Sequence, residues 1–88
     1  MFNGRRSDIE IVRDILKISK DGARKTEILY QGNLSYTQLQ IYLPFLLEND
    51  ILEENLVEDN DSSYKIFKVT KKGISLLEDI NRVLTHFK

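Results

Sequence analysis

A run of uncharged side chains follows Ser35, and it contains both hydrogen-bonding and apolar groups. A glutamine side chain can form two hydrogen bonds with adenine, and a threonine can hydrogen-bond a base or contact the methyl group of thymine, as can an exposed isoleucine. These residue types therefore predict that this run contacts the edges of DNA bases. The alternative, that they are only solvated residues on the outside of a helix, stays open. The candidate base-reading residues are Tyr36, Thr37, Gln38, Gln40 and Ile41.

Cations and hydroxyl groups outside this run are candidates for contacts with a phosphate backbone, which supply much of the affinity for DNA. Arg24, Lys25 and Thr26 lie at the start of a predicted short helix, where backbone amides also favour an anion. Other cations lie in an N-terminal arm and beside a predicted hairpin loop, and each of them singly is compatible with ordinary surface charge. The candidate backbone-contacting residues are Arg5, Arg6, Arg24, Lys25, Thr26, Ser35, Lys65 and Lys68.

Charge is unevenly distributed along the chain, although the net charge is only -1. None of the 13 Lys and Arg residues lies between Thr26 and Tyr64, and the same segment contains more than half of the 14 acidic residues. Because phosphate repels acidic side chains, this segment supports a second hypothesis. In that hypothesis the protein is a protein–protein interaction module that docks its acidic face onto another protein, such as a component of the transcription machinery.

Length and composition limit the class of protein. A chain of 88 residues allows one domain with a modest core. The chain has no cysteine, no N-terminal signal region and no membrane-spanning run, so we expect a cytoplasmic protein with no membrane partner. The lone histidine, His86, has no nucleophile and acid at supporting spacings, and no Gly-rich phosphate loop is present. We therefore expect no enzymatic activity, no catalytic or metal-binding residues and no cofactor.

Three helices are predicted in the first half of the chain. Ser7 and Ser35 are each followed three residues later by Glu or Gln, the spacing of a capping box, so a helix should begin at each serine. A shorter helix from about Lys25 precedes Gly32–Asn33, which suits a tight turn, and Tyr30 is among its candidates for the inward face. Two helices joined by such a turn form a helix-turn-helix, with the third helix in the recognition position.

A β-hairpin and a last helix are predicted in the second half. The hairpin strands cover residues 51–57 and 64–69, joined by a loop at residues 58–63, and Ala23–Arg24 could add one short bridge to the sheet. The last helix runs from about residue 71 to residue 87. The order helix, helix, helix, hairpin, helix is that of an α+β, mainly α, winged helix-turn-helix, in which the hairpin is the wing.

The last helix carries more apolar residues than one stripe requires. Several of them recur at the 4-3-4 spacing of a coiled-coil seam. A face left uncovered by the domain would pair with a second copy, whereas the alternative is a helix that packs entirely within its own chain. The candidate dimer-interface residues are Leu76, Ile80, Val83, Leu84 and Phe87.

Several segments together resemble those of small archaeal winged helix-turn-helix proteins of the ten-kilodalton chromatin and regulator type. They are Gly22–Thr26, Ile28–Tyr30, Asn33–Tyr36, Leu43 with Leu46–Leu47, and Tyr64–Gly73. The resemblance implies a DNA-binding homodimer whose last helices pair as an antiparallel coiled coil. It also implies contacts from the third helix to the major groove and from the wing to the neighbouring backbone or minor groove. Such relatives often carry lysines in the third helix, which this sequence lacks.

The sequence therefore predicts three parts: a flexible basic arm over residues 1–6, a winged helix-turn-helix domain over residues 7–70 and a dimerisation helix over residues 71–88. The predicted function is sequence- or shape-dependent binding of double-stranded DNA by a homodimeric transcriptional regulator or architectural protein. The acidic protein-docking module is the alternative.

Overall fold

The computed structural model describes residues 6–87, which form four helices and one antiparallel hairpin. This order and the mainly helical α+β class confirm the predicted winged helix-turn-helix fold. The elements are α1 (Asp8–Ile18), α2 (Lys25–Gln31), α3 (Tyr36–Glu48), β1 (Leu52–Asp59), β2 (Ser62–Val69) and α4 (Lys71–Thr85).

Side-chain caps fix where the helices begin. The backbone N–H of Glu10 donates to the Ser7 hydroxyl (3.2 Å), and the Ser7 N–H donates to the Glu10 carboxylate (3.1 Å). Ser35 and Gln38 form the same reciprocal pair at the start of α3, and Thr70 caps α4 with its hydroxyl. Each pair satisfies N–H groups that a helix leaves unbonded in its first turn, so both predicted capping boxes are confirmed.

One apolar core lies between the helices and the base of the hairpin. Its fully buried side chains come from every helix of the helix-turn-helix and from β1. They include Ile15, Leu16, Ile28, Leu39, Leu46 and Leu52. Leu77 of α4 joins this core, so α4 packs against its own domain along part of its length. The shared core therefore packs the helix-turn-helix against the hairpin and α4.

The hairpin differs from its prediction. β1 continues to Asp59 and β2 begins at Ser62, so the turn has two residues and the predicted six-residue loop at residues 58–63 is wrong. Asn60 has a φ of 54°, a left-handed conformation that asparagine tolerates and that two-residue hairpin turns require. The acidic side chains of this region therefore belong mainly to a paired ladder.

The position of Tyr30 also differs from its prediction. Its side chain is 78% exposed, so the proposed inward orientation is wrong. In this short helix Ile28 is buried and Leu29 is half-buried. Because each helical residue turns about 100° from the last, Tyr30 lies about 200° from Ile28 and points away from the core.

Candidate nucleic-acid interface

The outer side of α3 is exposed and uncharged over its first two turns. Tyr36, Thr37 and Gln40 are exposed, and Thr37 and Gln40 are three residues apart on one face of the helix. The buried residues of α3 are Leu39, Leu43 and Leu46; Thr37 points away from them, and Tyr36 is exposed at the first position of the helix. The structure therefore places three candidate base-reading side chains where a partner can reach them.

Gln38 has a structural task at the start of α3. Its side-chain oxygen accepts a hydrogen bond from the Ser35 N–H (2.9 Å), and its own N–H donates to the Ser35 hydroxyl (3.1 Å). Bidentate recognition of adenine needs both the oxygen and the nitrogen of a glutamine amide. Because the oxygen of Gln38 is already bonded and the side chain is half-buried, Gln38 is poorly placed for that role.

Ile41 lies on a different flank of α3 from Gln40. Its exposed side chain faces α1 and α4, where it lines a groove together with Ile9 and Phe45. Ile41 follows Thr37 by one helical turn, so it borders the exposed side of α3 and at the same time lies among the apolar side chains of the groove.

The cations at the start of α2 lie beside the wing. Ala23 forms the predicted short bridge, pairing antiparallel with Phe67 of β2. Arg24 is the N-cap residue of α2, and its guanidinium carbon lies 3.8 Å from the centre of the Tyr64 ring. Lys25 follows and is exposed, as is Thr26 (the next residue). The contact with Tyr64 was missed at the sequence level, although the predicted bridge and the alternation of β2 were signals for it.

The Arg6 side chain forms intramolecular contacts. Its guanidinium donates to the Asp14 carboxylate (2.9 Å) and to the backbone carbonyl of Asn33 (2.9 Å), and its side chain is mostly covered. These bonds connect Arg6 to α1 and to the turn between α2 and α3. Arg5, the other candidate of the basic arm, lies outside the described residues.

The wing carries charges of both signs. The Lys65 ammonium lies 3.6 Å from the Glu54 carboxylate, and both side chains are largely exposed. Lys68 is paired with Glu53 in the strand register and is also exposed. Exposed pairs of this kind contribute little to stability and exchange readily, so both lysines can still contact a phosphate.

An open apolar groove of about 570 Å³ lies between α1, α3 and α4. Its lining residues are Asp8, Ile9, Val12, Ile41, Tyr42, Phe45, Leu46, Leu76 and Ile80. At its rim the Tyr42 hydroxyl donates a hydrogen bond to the Asp8 carboxylate, which raises the pKa of Tyr42 to about 12. Neither Ile9 nor Phe45 is among the candidate functional residues predicted from the sequence. Phe45 lies off the leucine stripe of α3, which is a signal that it faces another surface.

The candidate dimer residues of α4 fall into two groups. Ile80, only 7% exposed, and Leu84 are buried within the protomer, and Leu76 is half-buried. Val83 is 45% exposed and Phe87 is 61% exposed. Val83 continues the row of Leu76 and Ile80 along α4, and Phe87 follows the end of that helix.

Within residues 6–87, no helix is long and apolar enough to cross a membrane. The described part of the chain also contains no group of three or more His, Asp or Glu side chains arranged to hold a metal ion.

Comparisons with known proteins agree with this architecture. Residues 5–88 match the family model for winged helix-turn-helix proteins. The crystal structure of Sso10a-2, a DNA-binding protein from Sulfolobus solfataricus, superimposes with a TM-score of 0.76 at 30% identity, over 91% of this chain and 80% of that chain. A "possible transcriptional regulator" from Methanosarcina mazei shares the fold, with a TM-score of 0.57 at 17% identity, over 96% of this chain and 72% of that one.

Two uncharacterised proteins of Methanocaldococcus jannaschii are also similar. The first, MJ0287, is 28% identical over 91% of this chain and 78% of its own length. The second, MJ0290, is 31% identical over 90% of this chain, which spans about a third (34%) of that longer protein. Fold, family model and relatives coincide: the chain belongs to the winged helix-turn-helix family, together with the small archaeal DNA-binding protein Sso10a-2.

Proposed function

We propose that this protein binds double-stranded DNA, with the outer side of α3 in the major groove. The observation that carries the proposal is the exposed, uncharged side formed by Tyr36, Thr37 and Gln40 at the N-terminal end of α3. Recognition helices of this fold class contact base edges with their N-terminal residues. Threonine and glutamine offer the hydrogen bonds that such contacts use.

Cations beside α3 supply the proposed contacts with the sugar-phosphate strands. Arg24 and Lys25 are exposed at the start of α2, and Lys65 and Lys68 are exposed on the wing. The DNA-binding role of Sso10a-2 supports this assignment by similarity. Because α3 itself has no cation, we expect weaker non-specific binding than a lysine-rich recognition helix would give.

We also propose that the protein acts as a homodimer. Three exposed apolar side chains flank the groove, namely Ile9, Ile41 and Phe45, and Val83 continues the apolar row of α4, with Phe87 after the end of that helix. In a two-fold dimer the end of α4 from one copy would cover the groove of the other. Each copy then supplies both a groove and an α4 end, as a self-complementary two-fold interface requires. Such a dimer presents two recognition helices to a paired DNA site.

The test is the affinity for a generic duplex, measured by fluorescence anisotropy across a range of salt concentrations. We expect the affinity for DNA to fall as the salt concentration rises. The double substitution of Arg24→Ala and Lys25→Ala should reduce the slope of log affinity against log salt by about two, because two phosphate contacts are lost. Lys17→Ala is the matched control, because Lys17 is an exposed cation on α1 and should leave the slope almost unchanged.

Absence of binding at low salt would contradict the proposal. That result would favour the alternative hypothesis, in which the acidic wing docks onto another protein. If the substitutions at Arg24, Lys25 and Lys17 changed the salt dependence equally, DNA would be attracted by the overall charge of the protein and not by a defined binding face.

A further inference from the structure

Arg24 and Tyr64 form a contact between two different parts of the fold. Arg24 caps α2, whereas Tyr64 lies in β2 of the wing, and the guanidinium carbon is 3.8 Å from the ring centre. A guanidinium over an aromatic face is attracted by the negative charge of that face, and its planar shape also stacks well. The contact therefore joins the helix-turn-helix to the wing through side chains.

The backbone register brings these two side chains together. The Ala23 N–H donates to the Phe67 carbonyl (2.9 Å), and the Phe67 N–H donates to the Ala23 carbonyl (2.8 Å). In an antiparallel register, Arg24 then lies beside Ile66. Side chains two residues apart on a strand share a face, so Tyr64 lies on the same face as Ile66 and one position further along.

A stacked guanidinium keeps its hydrogen-bonding edge available. The N–H donors of arginine point outward in the plane of the group, while the ring of Tyr64 covers one flat face. An arginine side chain that is free in solution loses rotamer freedom when it binds a phosphate, and stacking removes part of that freedom beforehand.

We infer that Tyr64 is a positioning residue for the contact between Arg24 and DNA. This inference rests on the proposed function, since it assumes that Arg24 binds a phosphate. The wing then contributes to affinity through a side chain that does not itself need to touch DNA. This gives the hairpin a further role, although Glu58, Asp59 and Asp61 at its tip are acidic.

The experiment is a double-mutant cycle on duplex binding at low salt. Tyr64→Leu should weaken binding about two- to fivefold, because it removes the aromatic face and keeps an apolar side chain. Tyr64→Phe is the matched control and should retain wild-type affinity within the error, since it keeps the face. In an Arg24→Ala background, Tyr64→Leu should have no further effect.

A second readout reports the contact without DNA. In free protein, nuclear magnetic resonance should show the Arg24 side-chain protons shifted by the ring current of Tyr64, and Tyr64→Leu should remove that shift while far-ultraviolet circular dichroism stays unchanged.

Two results would overturn the inference while leaving the proposed function in place. One is wild-type affinity for Tyr64→Leu when Arg24→Ala binds more weakly; the other is an equal loss from Tyr64→Leu with and without Arg24. A wild-type protein that binds no duplex, or binding that Arg24→Ala leaves unchanged, would instead remove the Arg24 contact itself, and the role of Tyr64 with it.

Discussion

Replacing Phe45 by alanine tests whether the groove between α1, α3 and α4 is covered by a second copy. The Phe45 side chain is 53% exposed in the protomer and lines the groove beside Ile9 and Ile41. Its buried half contributes to the stability of the single chain. Its exposed half contributes to the free energy of association only if another molecule covers it.

The expected magnitude follows from the exposed area. A phenylalanine side chain can bury roughly 200 Å², so about half of that, roughly 100 Å², is available at Phe45. At about 25 cal/mol per Å², covering it is worth about 2.5 kcal/mol in each copy, or about 5 kcal/mol in a two-fold dimer, as an upper estimate. Since 1.4 kcal/mol is a factor of ten, Phe45→Ala should weaken dimerisation by up to roughly four thousandfold.

Sedimentation equilibrium over a range of protein concentrations measures this effect. Val83→Asp, at an exposed position of α4, should also shift the protein towards monomer while the core remains intact. Tyr30→Ala is the control, because Tyr30 is 78% exposed and lies outside the groove. Unchanged association of both Phe45→Ala and Val83→Asp would refute the proposed interface, as would an equal loss from Tyr30→Ala.

Two further predictions concern stability. A Cβ atom on Gly73 would lie 2.3 Å from the Ile51 carbonyl oxygen. Gly73→Ala should therefore lower the free energy of unfolding, measured by urea denaturation, by about 1–3 kcal/mol, although alanine gains about 1 kcal/mol in helix propensity. A more stable variant would contradict this packing. The hydrogen bond to Asp8 raises the pKa of Tyr42 from 10.0 to about 12. The protonated tyrosine is thus favoured by folding, and its stabilising contribution is complete below about pH 10 and disappears as pH rises through about 12. Tyr42→Phe should remove that part of the pH dependence of unfolding, and identical pH profiles for the two proteins would contradict it.

The local features of the fold were predictable because neighbouring residues determine them. The Ser35–Gln38 capping box lies within four residues, so the sequence pattern alone predicts where α3 begins. The row of Ile80 and Val83 shows what periodicity leaves open. Both belong to one apolar stripe, yet the protomer covers Ile80 and leaves Val83 exposed, because that division depends on where α1 packs against α4.

The candidate site was predictable in its residue types but only partly in its geometry. Thr37 and Gln40 were chosen for their hydrogen-bonding groups and are exposed on one face of α3. Gln38 has the same chemistry, but its side chain completes the cap of its own helix. The stacking of Arg24 on Tyr64 joins residues far apart in the sequence. The predicted bridge at Ala23–Arg24 was a signal for it, but the sequence pattern does not determine the register of that bridge with β2.

The most direct test of the central claim is a map of amide chemical shifts during titration with duplex DNA, using isotope-labelled protein and nuclear magnetic resonance. We expect the largest changes at Tyr36, Thr37 and Gln40, followed by the start of α2 at Arg24 and Lys25. Changes confined to the acidic strands of the wing or to the apolar groove, with α3 unaffected, would contradict that claim.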